Sequence, residues 1–205
     1  QESLDRGMQT IESFLSKGVS KGKMPPVAKD EIQSRIKPTL DLEYLAKDAD
    51  LIIAAVPEQL ALKVELFGKL GEHARADAVF ASNTSSLSLA DVFAGVPGPE
   101  RCCGMHFFNP PPIMKLVEVI RPDAASVEVL DRVLDYTRQM GKEPILVKDS
   151  PGFATSRLGV VLGLEAIRMV EAGVAEPEDI DKAMELGYRH PMGPLRLTDL
   201  VGLDV

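Results

Sequence analysis

Hydrophobic residues in the first two thirds of the chain follow two patterns. Short uninterrupted apolar runs lie between turn-forming residues, and apolar positions at helical spacing follow them. An uninterrupted run is typical of a strand covered on both faces, and apolar residues three and four apart are typical of one helix face. Strands that alternate with helices favour a mainly parallel sheet with helical crossovers. The pattern predicts strands at 51–56, 78–81 and 101–107, and helices at 58–72 and 87–93.

The pattern changes after this third strand. Three consecutive prolines, Pro110 to Pro112, exclude a helix there. From Pro151 onward only helical spacing is found. We therefore predict an α/β domain over residues 1–149 and an all-helical domain over residues 150–205. The elements predicted here are strands at 115–120 and 144–147, and helices at 127–140, 153–172, 177–186 and from Leu195.

The two ends of the chain also carry information. The chain begins inside a predicted helix, and the helical domain stops abruptly at Val205. We therefore expect the natural protein to be longer at both ends. The first helix is predicted over residues 2–21 from the helical spacing of Leu4, Met8, Ile11 and Leu15.

Composition and charge narrow the class of protein. The chain is 45% hydrophobic and 26% charged, as in soluble globular proteins. Its apolar runs are too short to span a bilayer, and its first residues do not resemble a secretory signal. A net charge of −8 argues against a nucleic-acid surface, which needs a basic face. We expect no nucleic-acid or membrane partner. The net charge does not exclude a small basic patch that binds one phosphorylated ligand.

The only cysteines are the neighbours Cys102 and Cys103. Adjacent cysteines pair badly, and two thiols make no disulfide framework. Because they lie in an apolar stretch, we predict buried free thiols in a reducing compartment. No further cysteine or histidine stands at ligand spacing, so we expect no metal site.

His106 is the first candidate for chemistry, because it lies at the end of a predicted buried strand. Ligands of open α/β sheets bind beyond the carboxyl ends of the strands. The midpoint between His106 and Glu118 is Pro112, in the proline-rich turn. If the flanking segments pair like a hairpin, the carboxylate meets the imidazole, fixes its tautomer and leaves the other ring nitrogen as a base. The alternative is an ordinary cross-strand polar pair.

Ser85 follows the preceding strand and should lie at the same sheet edge as His106. Its structural alternative is a helix N-cap, a role that Asn83, Thr84 or Ser86 could also take. Serine, histidine and glutamate together also suggest a hydrolase. That interpretation is weak, because the serine is not in a G-x-S-x-G turn.

Four segments together resemble a known family. ASNTSSL, GMHFFNPPPIMKLVEVI, KDSPGF and HPMGPLRLTDLVGLD are similar, in order and spacing, to the signature segments of the 3-hydroxyacyl-CoA dehydrogenases. The resemblance covers nearly the whole chain and is strongest to the short monofunctional members. It implies a Rossmann-like NAD-binding α/β domain, incomplete at its N-terminus, followed by an all-α domain that is incomplete at its C-terminus and forms a homodimer.

The resemblance also implies an activity, the interconversion of (S)-3-hydroxyacyl-CoA and 3-oxoacyl-CoA with NAD. This reaction belongs to fatty-acid β-oxidation or to butyrate and acetoacetyl-CoA metabolism, in the cytoplasm or in the mitochondrial matrix of a eukaryote. His106 would remove the proton of the 3-hydroxyl group, and Glu118 would orient it. Ser85 would hydrogen-bond the reacting oxygen, and Asn109 would help to place the nicotinamide or the substrate.

Four further positions match the family's binding residues. Glu58 would contact a ribose of NAD, and Lys63 would lie near the nicotinamide ribose or the CoA. Lys21 would offer positive charge to CoA phosphate, although a solvated helix end explains it equally well. Ser156 stands where the family commonly has an asparagine beside the acyl group. We expect that Ser156 still lines the pocket but contributes less to catalysis, because a hydroxyl is shorter than an amide.

Besides Ser156, the chain departs from the family in the segment that binds the nucleotide. The 205 residues contain no G-x-G-x-x-G turn, so the pyrophosphate site cannot be formed by them. We expect this chain alone to bind NAD poorly and to lack activity. Two alternatives to the dehydrogenase stay open. They are a non-catalytic, crystallin-like relative and a dehydrogenase of a small hydroxy acid such as gulonate.

Overall fold

The computed structural model describes residues 1–202. Every strand and helix predicted above is present, with bounds that differ by a few residues. The elements are α1 (Glu2–Ser20), α2 (Pro26–Arg35), α3 (Leu42–Lys47), β1 (Leu51–Ala54), α4 (Leu60–His73), β2 (Val79–Ser82), α5 (Leu89–Val92), a 3₁₀ turn (Pro99–Arg101), β3 (Cys102–Phe107), β4 (Leu116–Arg121), α6 (Val127–Gln139), β5 (Glu143–Lys148), α7 (Thr155–Glu171), α8 (Pro177–Gly187) and α9 (Pro194–Val201).

The chain forms two compact units. The first consists of residues 1–50 and 69–78 and holds α1, α2 and α3. The sequence analysis missed α2 and α3. Pro26 is the first residue of α2, a position where proline's missing N–H leaves no hydrogen bond unmade. The short α3 is capped by Asp41, whose carboxylate accepts a hydrogen bond from the Tyr44 backbone N–H at 3.1 Å.

The second unit holds a five-stranded sheet in the order β1-β2-β3-β4-β5. All neighbouring strands are parallel except β3 and β4, which are antiparallel. The prediction of a mainly parallel sheet is therefore confirmed. The exception follows from the proline-rich turn, because an antiparallel pair can be joined by a short connection and needs no crossover helix.

The expectation that the first strand is covered on both faces is wrong. β1 ends at Ala54 rather than Val56, and 37% of Ile53 is exposed. Ile52 and Ala54 point to one face of the sheet and are buried, whereas Leu51 and Ile53 point to the other face and are less covered. β2, which lies between two strands, is buried at all of its positions.

The core of the second unit lies between the middle of the sheet and α6. Its buried residues alternate along β3 and β4 and recur at helical spacing on α6. Members of this cluster include Met105, Val117, Val119, Val129, Leu130 and Val133.

Both cysteines are buried free thiols, as predicted. Burial raises the pKa of the Cys102 thiol to about 12 and raises that of Cys103 further. Both thiols therefore stay protonated at neutral pH and are poor nucleophiles.

The chain beyond β5 is helical as far as residue 202, as predicted. Asp181 on α8 is buried and accepts hydrogen bonds from the backbone N–H groups of Leu195 and Arg196, at 2.7 and 3.0 Å. A carboxylate from one helix thus caps the N-terminus of the next. Within the described residues, no helix combines the length and apolar character needed to cross a membrane.

Gly193 allows this close approach of α8 and α9. A β-carbon at this position would lie 2.2 Å from Asp181 Cβ. We expect Gly193→Ala to lower the free energy of unfolding by about 2–4 kcal/mol, because it combines overpacking with the loss of a helix cap. Thermal unfolding would measure the change. Gly159→Ala is the matched control, since nothing lies within 4 Å of its β-carbon. A Gly193→Ala variant as stable as the Gly159→Ala variant would contradict this packing account.

Candidate active site

The antiparallel pairing of β3 and β4 places His106 opposite Glu118. His106 Nδ1 lies 2.7 Å from Glu118 Oε2. The predicted approach of the imidazole to the carboxylate across a hairpin-like pair is therefore confirmed. Glu118 is completely buried, and His106 is 7% exposed.

Glu118 is held from its other side by the N-terminus of α7. Its Oε1 accepts hydrogen bonds from the backbone N–H groups of Ala154 and Thr155, at 3.1 and 2.9 Å. The Thr155 hydroxyl donates to Oε2 at 2.9 Å. Ala154 is the N-cap residue of α7 and has no capping side chain. The carboxylate of β4 therefore takes the place of a cap and faces the positive end of the helix dipole.

These contacts decide the charge of Glu118. Burial alone would raise its pKa, but the hydrogen bonds from His106 and Thr155 outweigh burial, so the pKa lies below its ordinary value. Glu118 is therefore a carboxylate at neutral pH. A lowered folded pKa stabilises the fold above the unfolded pKa, and this stabilisation is lost as the pH falls through the folded value.

Two phenylalanine rings flank the imidazole. The ring centre of Phe108 lies 4.6 Å from that of His106, and that of Phe153 lies 5.9 Å away. Phe153 has a φ of 48°, a left-handed conformation that a bulky residue adopts only when its surroundings impose it. Residue-by-residue analysis of the sequence missed both rings. The segment KDSPGF contained Phe153, but no periodic pattern marks a residue with positive φ.

The loop after β2 carries Ser85. The predicted alternative of an N-cap among residues 83–86 is wrong, because Ser88 caps α5 and accepts from Asp91 N–H at 3.4 Å. The Thr84 hydroxyl accepts from Leu87 N–H at 2.9 Å within the loop. The Ser85 hydroxyl has no hydrogen-bond partner among residues 1–202, so it is available to a ligand.

Asn83 is a positioning residue that the sequence analysis did not identify. Its Oδ1 accepts a hydrogen bond from Phe107 N–H at 2.8 Å, and its own backbone N–H donates to Ala54 O at 2.9 Å. Asn83 thus extends the contact between neighbouring strands beyond the end of β2. It ties the backbone beside His106 to the loop that carries Ser85.

Glu58 and Lys63 form an ion pair after the end of β1. The distance from Lys63 Nζ to Glu58 Oε2 is 3.0 Å, and Lys63 is only 1% exposed. Glu58 Oε1 accepts from Ser85 N–H at 3.1 Å and from the Thr84 hydroxyl. Burial would raise the pKa of Glu58, but the hydrogen bonds from Thr84, Lys63 and Ser85 outweigh it and the pKa is lowered. This carboxylate therefore joins the loops after β1 and β2.

The remaining predicted residues lie in different places. Asn109 is exposed in the loop that follows β3, and Ser156 is half-buried in the first turn of α7. Lys21 is exposed at the C-terminal end of α1, in the first unit. Lys142, which sequence reasoning missed, donates to the carbonyl groups of Pro111 and Met114. It fixes the proline-rich loop that carries Asn109.

The polar groups at this edge of the sheet are of the kind that part of a dinucleotide could bind. β1, β2 and β3 are parallel, so Glu58, Ser85 and His106 all lie at the carboxyl edge where nucleotides bind. Glu58 keeps 37% of its side chain exposed, so its carboxylate can still accept a hydrogen bond from a ribose hydroxyl. The 205 residues contain no glycine-rich turn of the kind that holds a pyrophosphate.

The fold and the site together define an α/β dehydrogenase with a histidine–glutamate pair at the carboxyl edge of its sheet. The chain matches the model of the 3-hydroxyacyl-CoA dehydrogenase NAD binding domain over residues 1–150. It matches the model of the C-terminal domain of the same family over residues 152–205. The chain therefore belongs to the NAD-dependent 3-hydroxyacyl-CoA dehydrogenase family.

Individual relatives agree with this assignment. The chain is 42% identical to 3-hydroxybutyryl-CoA dehydrogenase of Clostridioides difficile, over all of this chain and 73% of that protein. It is 40% identical to mitochondrial hydroxyacyl-coenzyme A dehydrogenase of Homo sapiens, over all of this chain and 67% of that protein. The structure of (S)-3-hydroxybutyryl-CoA dehydrogenase from Ralstonia eutropha superimposes with a TM-score of 0.95 at 38% identity, covering 100% of this chain and 72% of that one.

Proposed function

We propose that His106 is the general base and acid with which this protein interconverts (S)-3-hydroxyacyl-CoA and 3-oxoacyl-CoA. The observation that carries the proposal is the 2.7 Å contact between His106 Nδ1 and a buried carboxylate. Glu118 keeps the proton on Nδ1, so Nε2 of the neutral ring is free to accept the proton of the 3-hydroxyl group. Nε2 has no hydrogen-bond partner among residues 1–202.

The residues around His106 would bind the cofactor and orient the substrate. The hydride from carbon 3 would pass to the nicotinamide of NAD when that cofactor is bound. Glu58 would accept a hydrogen bond from a ribose hydroxyl of NAD. Lys63, expected from the family near the nicotinamide ribose or the CoA, is buried against Glu58 and would act by holding that carboxylate in place. Asn109 would orient the nicotinamide or the substrate. The free hydroxyl of Ser85 would donate to the oxygen on carbon 3 and stabilise negative charge there.

The acyl-CoA thioester would be held by residues further from the reacting carbon. Ser156 would line the acyl pocket from the first turn of α7, with a hydroxyl too short to act as strongly as an amide. Lys21 would offer its charge to a phosphate of CoA. Its exposure and its place at a helix end are compatible with that role.

An assay with matched substrates tests the function. The full-length natural protein should reduce acetoacetyl-CoA with NADH, followed by the loss of NADH absorbance. Free acetoacetate and a gulonate-like hydroxy acid are the controls. Turnover of the free acids instead of the thioester would indicate the small-acid dehydrogenase. A well-folded protein that turns over none of them would indicate the non-catalytic relative and overturn the proposal.

The proposed base predicts opposite pH profiles for the two directions. Oxidation needs the neutral imidazole, so its rate should fall by about tenfold per pH unit on the acid side. Reduction needs the imidazolium, so its rate should fall on the alkaline side. Initial rates with (S)-3-hydroxybutyryl-CoA and acetoacetyl-CoA over a pH series would check this. Profiles that run in parallel in both directions would contradict the assignment of His106.

We also propose that α7 contributes to a homodimer interface. Its exposed apolar side chains support this, with 71% of Leu158 and 60% of Val161 exposed. Val161→Asp should convert the full-length dimer into a monomer, as measured by light scattering after gel filtration. Val127→Asp is the matched control, because Val127 is an exposed valine on α6. A Val161→Asp variant that remains dimeric would overturn this proposal.

Domain division and location complete the proposed assignment. We propose that residues 1–149 bind the nucleotide and that residues 150–205 belong to the domain that closes the site and dimerises. The end of β5 at Lys148 supports this boundary.

A reducing compartment, either the cytoplasm or a mitochondrial matrix, suits the two free thiols. The human relative is named mitochondrial.

A further inference from the structure

One oxygen atom of Glu118 receives two hydrogen bonds from different elements. Oε2 contacts His106 Nδ1 at 2.7 Å and accepts from the Thr155 hydroxyl at 2.9 Å. The other oxygen, Oε1, accepts only the two backbone N–H groups of α7. The Thr155 hydroxyl therefore shares its acceptor with the proposed base.

The hydroxyl is not required to cap α7. A threonine near a helix start usually accepts a hydrogen bond from a backbone N–H group of the first turn. Thr155 instead donates to a side chain, and Ala154 is the N-cap residue. Glu118 Oε1 already satisfies the backbone N–H groups of Ala154 and Thr155. A structural capping role therefore leaves the hydroxyl bond unexplained.

The shared acceptor links the hydroxyl to proton transfer. A donor on Oε2 stabilises the negative charge on that atom. It therefore weakens Oε2 as an acceptor of the hydrogen bond from the imidazole Nδ1–H. It also fixes the rotation of the carboxylate about its last bond. We propose that the Thr155 hydroxyl is a positioning group that holds Glu118 Oε2 and moderates its pull on His106, which sets the pH range in which the ring can accept a proton. This inference rests on the proposed role of His106.

The surroundings of Glu118 support an effect through this one atom. His106 on β3 is the titratable side chain that bonds Glu118 within the described residues. On β5 the residue paired with Glu118 is Ile145, which carries no charge. From α7 the carboxylate meets backbone N–H groups and the Thr155 hydroxyl. A change at the hydroxyl therefore reaches His106 without a second charged group in between.

Two substitutions separate the hydroxyl from the rest of the side chain. Thr155→Val removes the hydroxyl and keeps the branched shape, and Oε2 stays paired with His106. Thr155→Ser keeps the hydroxyl and removes the methyl group. Both variants are made in the full-length protein, and circular dichroism and thermal unfolding establish that they fold.

For Thr155→Val, the acid limb of the pH–rate profile for (S)-3-hydroxybutyryl-CoA oxidation should move to higher pH by about half a unit to one unit. The rate on the plateau should change by less than about threefold and KM should not change, because substrate contacts are untouched. Thr155→Ser should retain the wild-type limb. In the proton NMR spectrum, the His106 Nδ1 proton, assigned by its absence in His106→Gln, should move downfield in Thr155→Val.

The outcomes distinguish this inference from the proposed function. If Thr155→Val matches the wild type in both the limb and the ring proton, the inference is overturned. A loss of rate that is equal at every pH and shared by Thr155→Ser also overturns it, because that is a structural effect. If the wild type has no dehydrogenase activity, the proposed function fails, and the ring-proton measurement still decides whether Thr155 acts on the pair.

Discussion

Replacement of His106 by glutamine should lower the turnover of both oxidation and reduction by about 10²–10⁴-fold in the full-length protein. Glutamine fills a similar volume and forms hydrogen bonds, but it cannot take up or release a proton near neutral pH. Glu118 would keep its three bonds to α7, so the fold should persist. Steady-state kinetics with (S)-3-hydroxybutyryl-CoA and acetoacetyl-CoA would measure the loss.

A second histidine serves as the control for this experiment. His73 is exposed near the end of α4 and is not placed in the site. His73→Gln should retain wild-type kinetics. If His106→Gln retained more than a tenth of the wild-type turnover, the proton would be moved by another group and the proposed base would be wrong.

Glu118→Gln should lower kcat by roughly 10³-fold, a loss similar to that expected for His106→Gln, and should change KM by less than about threefold. The amide oxygen can accept from the two backbone N–H groups of α7, which turns the amide nitrogen toward His106. That nitrogen donates a proton, so it favours the tautomer in which Nδ1 is bare and Nε2 carries the hydrogen. The ring would then present a donor to the substrate hydroxyl instead of a base.

Glu118→Asp separates charge from position in the same site. Aspartate keeps the negative charge but withdraws it by one methylene group, so an intermediate loss is expected. If Glu118→Gln left kcat unchanged and raised only KM, the carboxylate would be contributing to binding rather than to proton transfer, and its assigned role would be wrong.

The sequence predicts much of this fold because most of its elements follow simple periodicity. The apolar runs at β2 and β3 and the helical spacing of α6 and α7 determine where strands and helices form. Two helices were missed for physical reasons. α2 has few apolar residues and starts at a proline, and α3 is a short helix fixed by one capping aspartate. Local caps and exposed edges depend on neighbours that periodicity does not specify.

The candidate site is predictable to a similar extent. The approach of His106 to Glu118 follows from a turn midway between them, since an antiparallel pair puts equidistant residues opposite one another. The contacts of Thr155 and Asn83 could not be predicted in this way. Each depends on a long-range approach, of α7 to β4 and of the loop after β2 to β3. The left-handed conformation of Phe153 has the same origin, because surrounding structure imposes it.

A crystal structure of the full-length protein with NAD and acetoacetyl-CoA would show directly whether His106 is the group that exchanges a proton with the substrate. The decisive quantity is the distance from His106 Nε2 to the oxygen on carbon 3 of the acyl group. If His106 is the base, this distance should be about 2.6–3.2 Å, with Nδ1 still bonded to Glu118. A carbon-3 oxygen that lies beyond hydrogen-bond reach of Nε2 and contacts a different proton donor would contradict it.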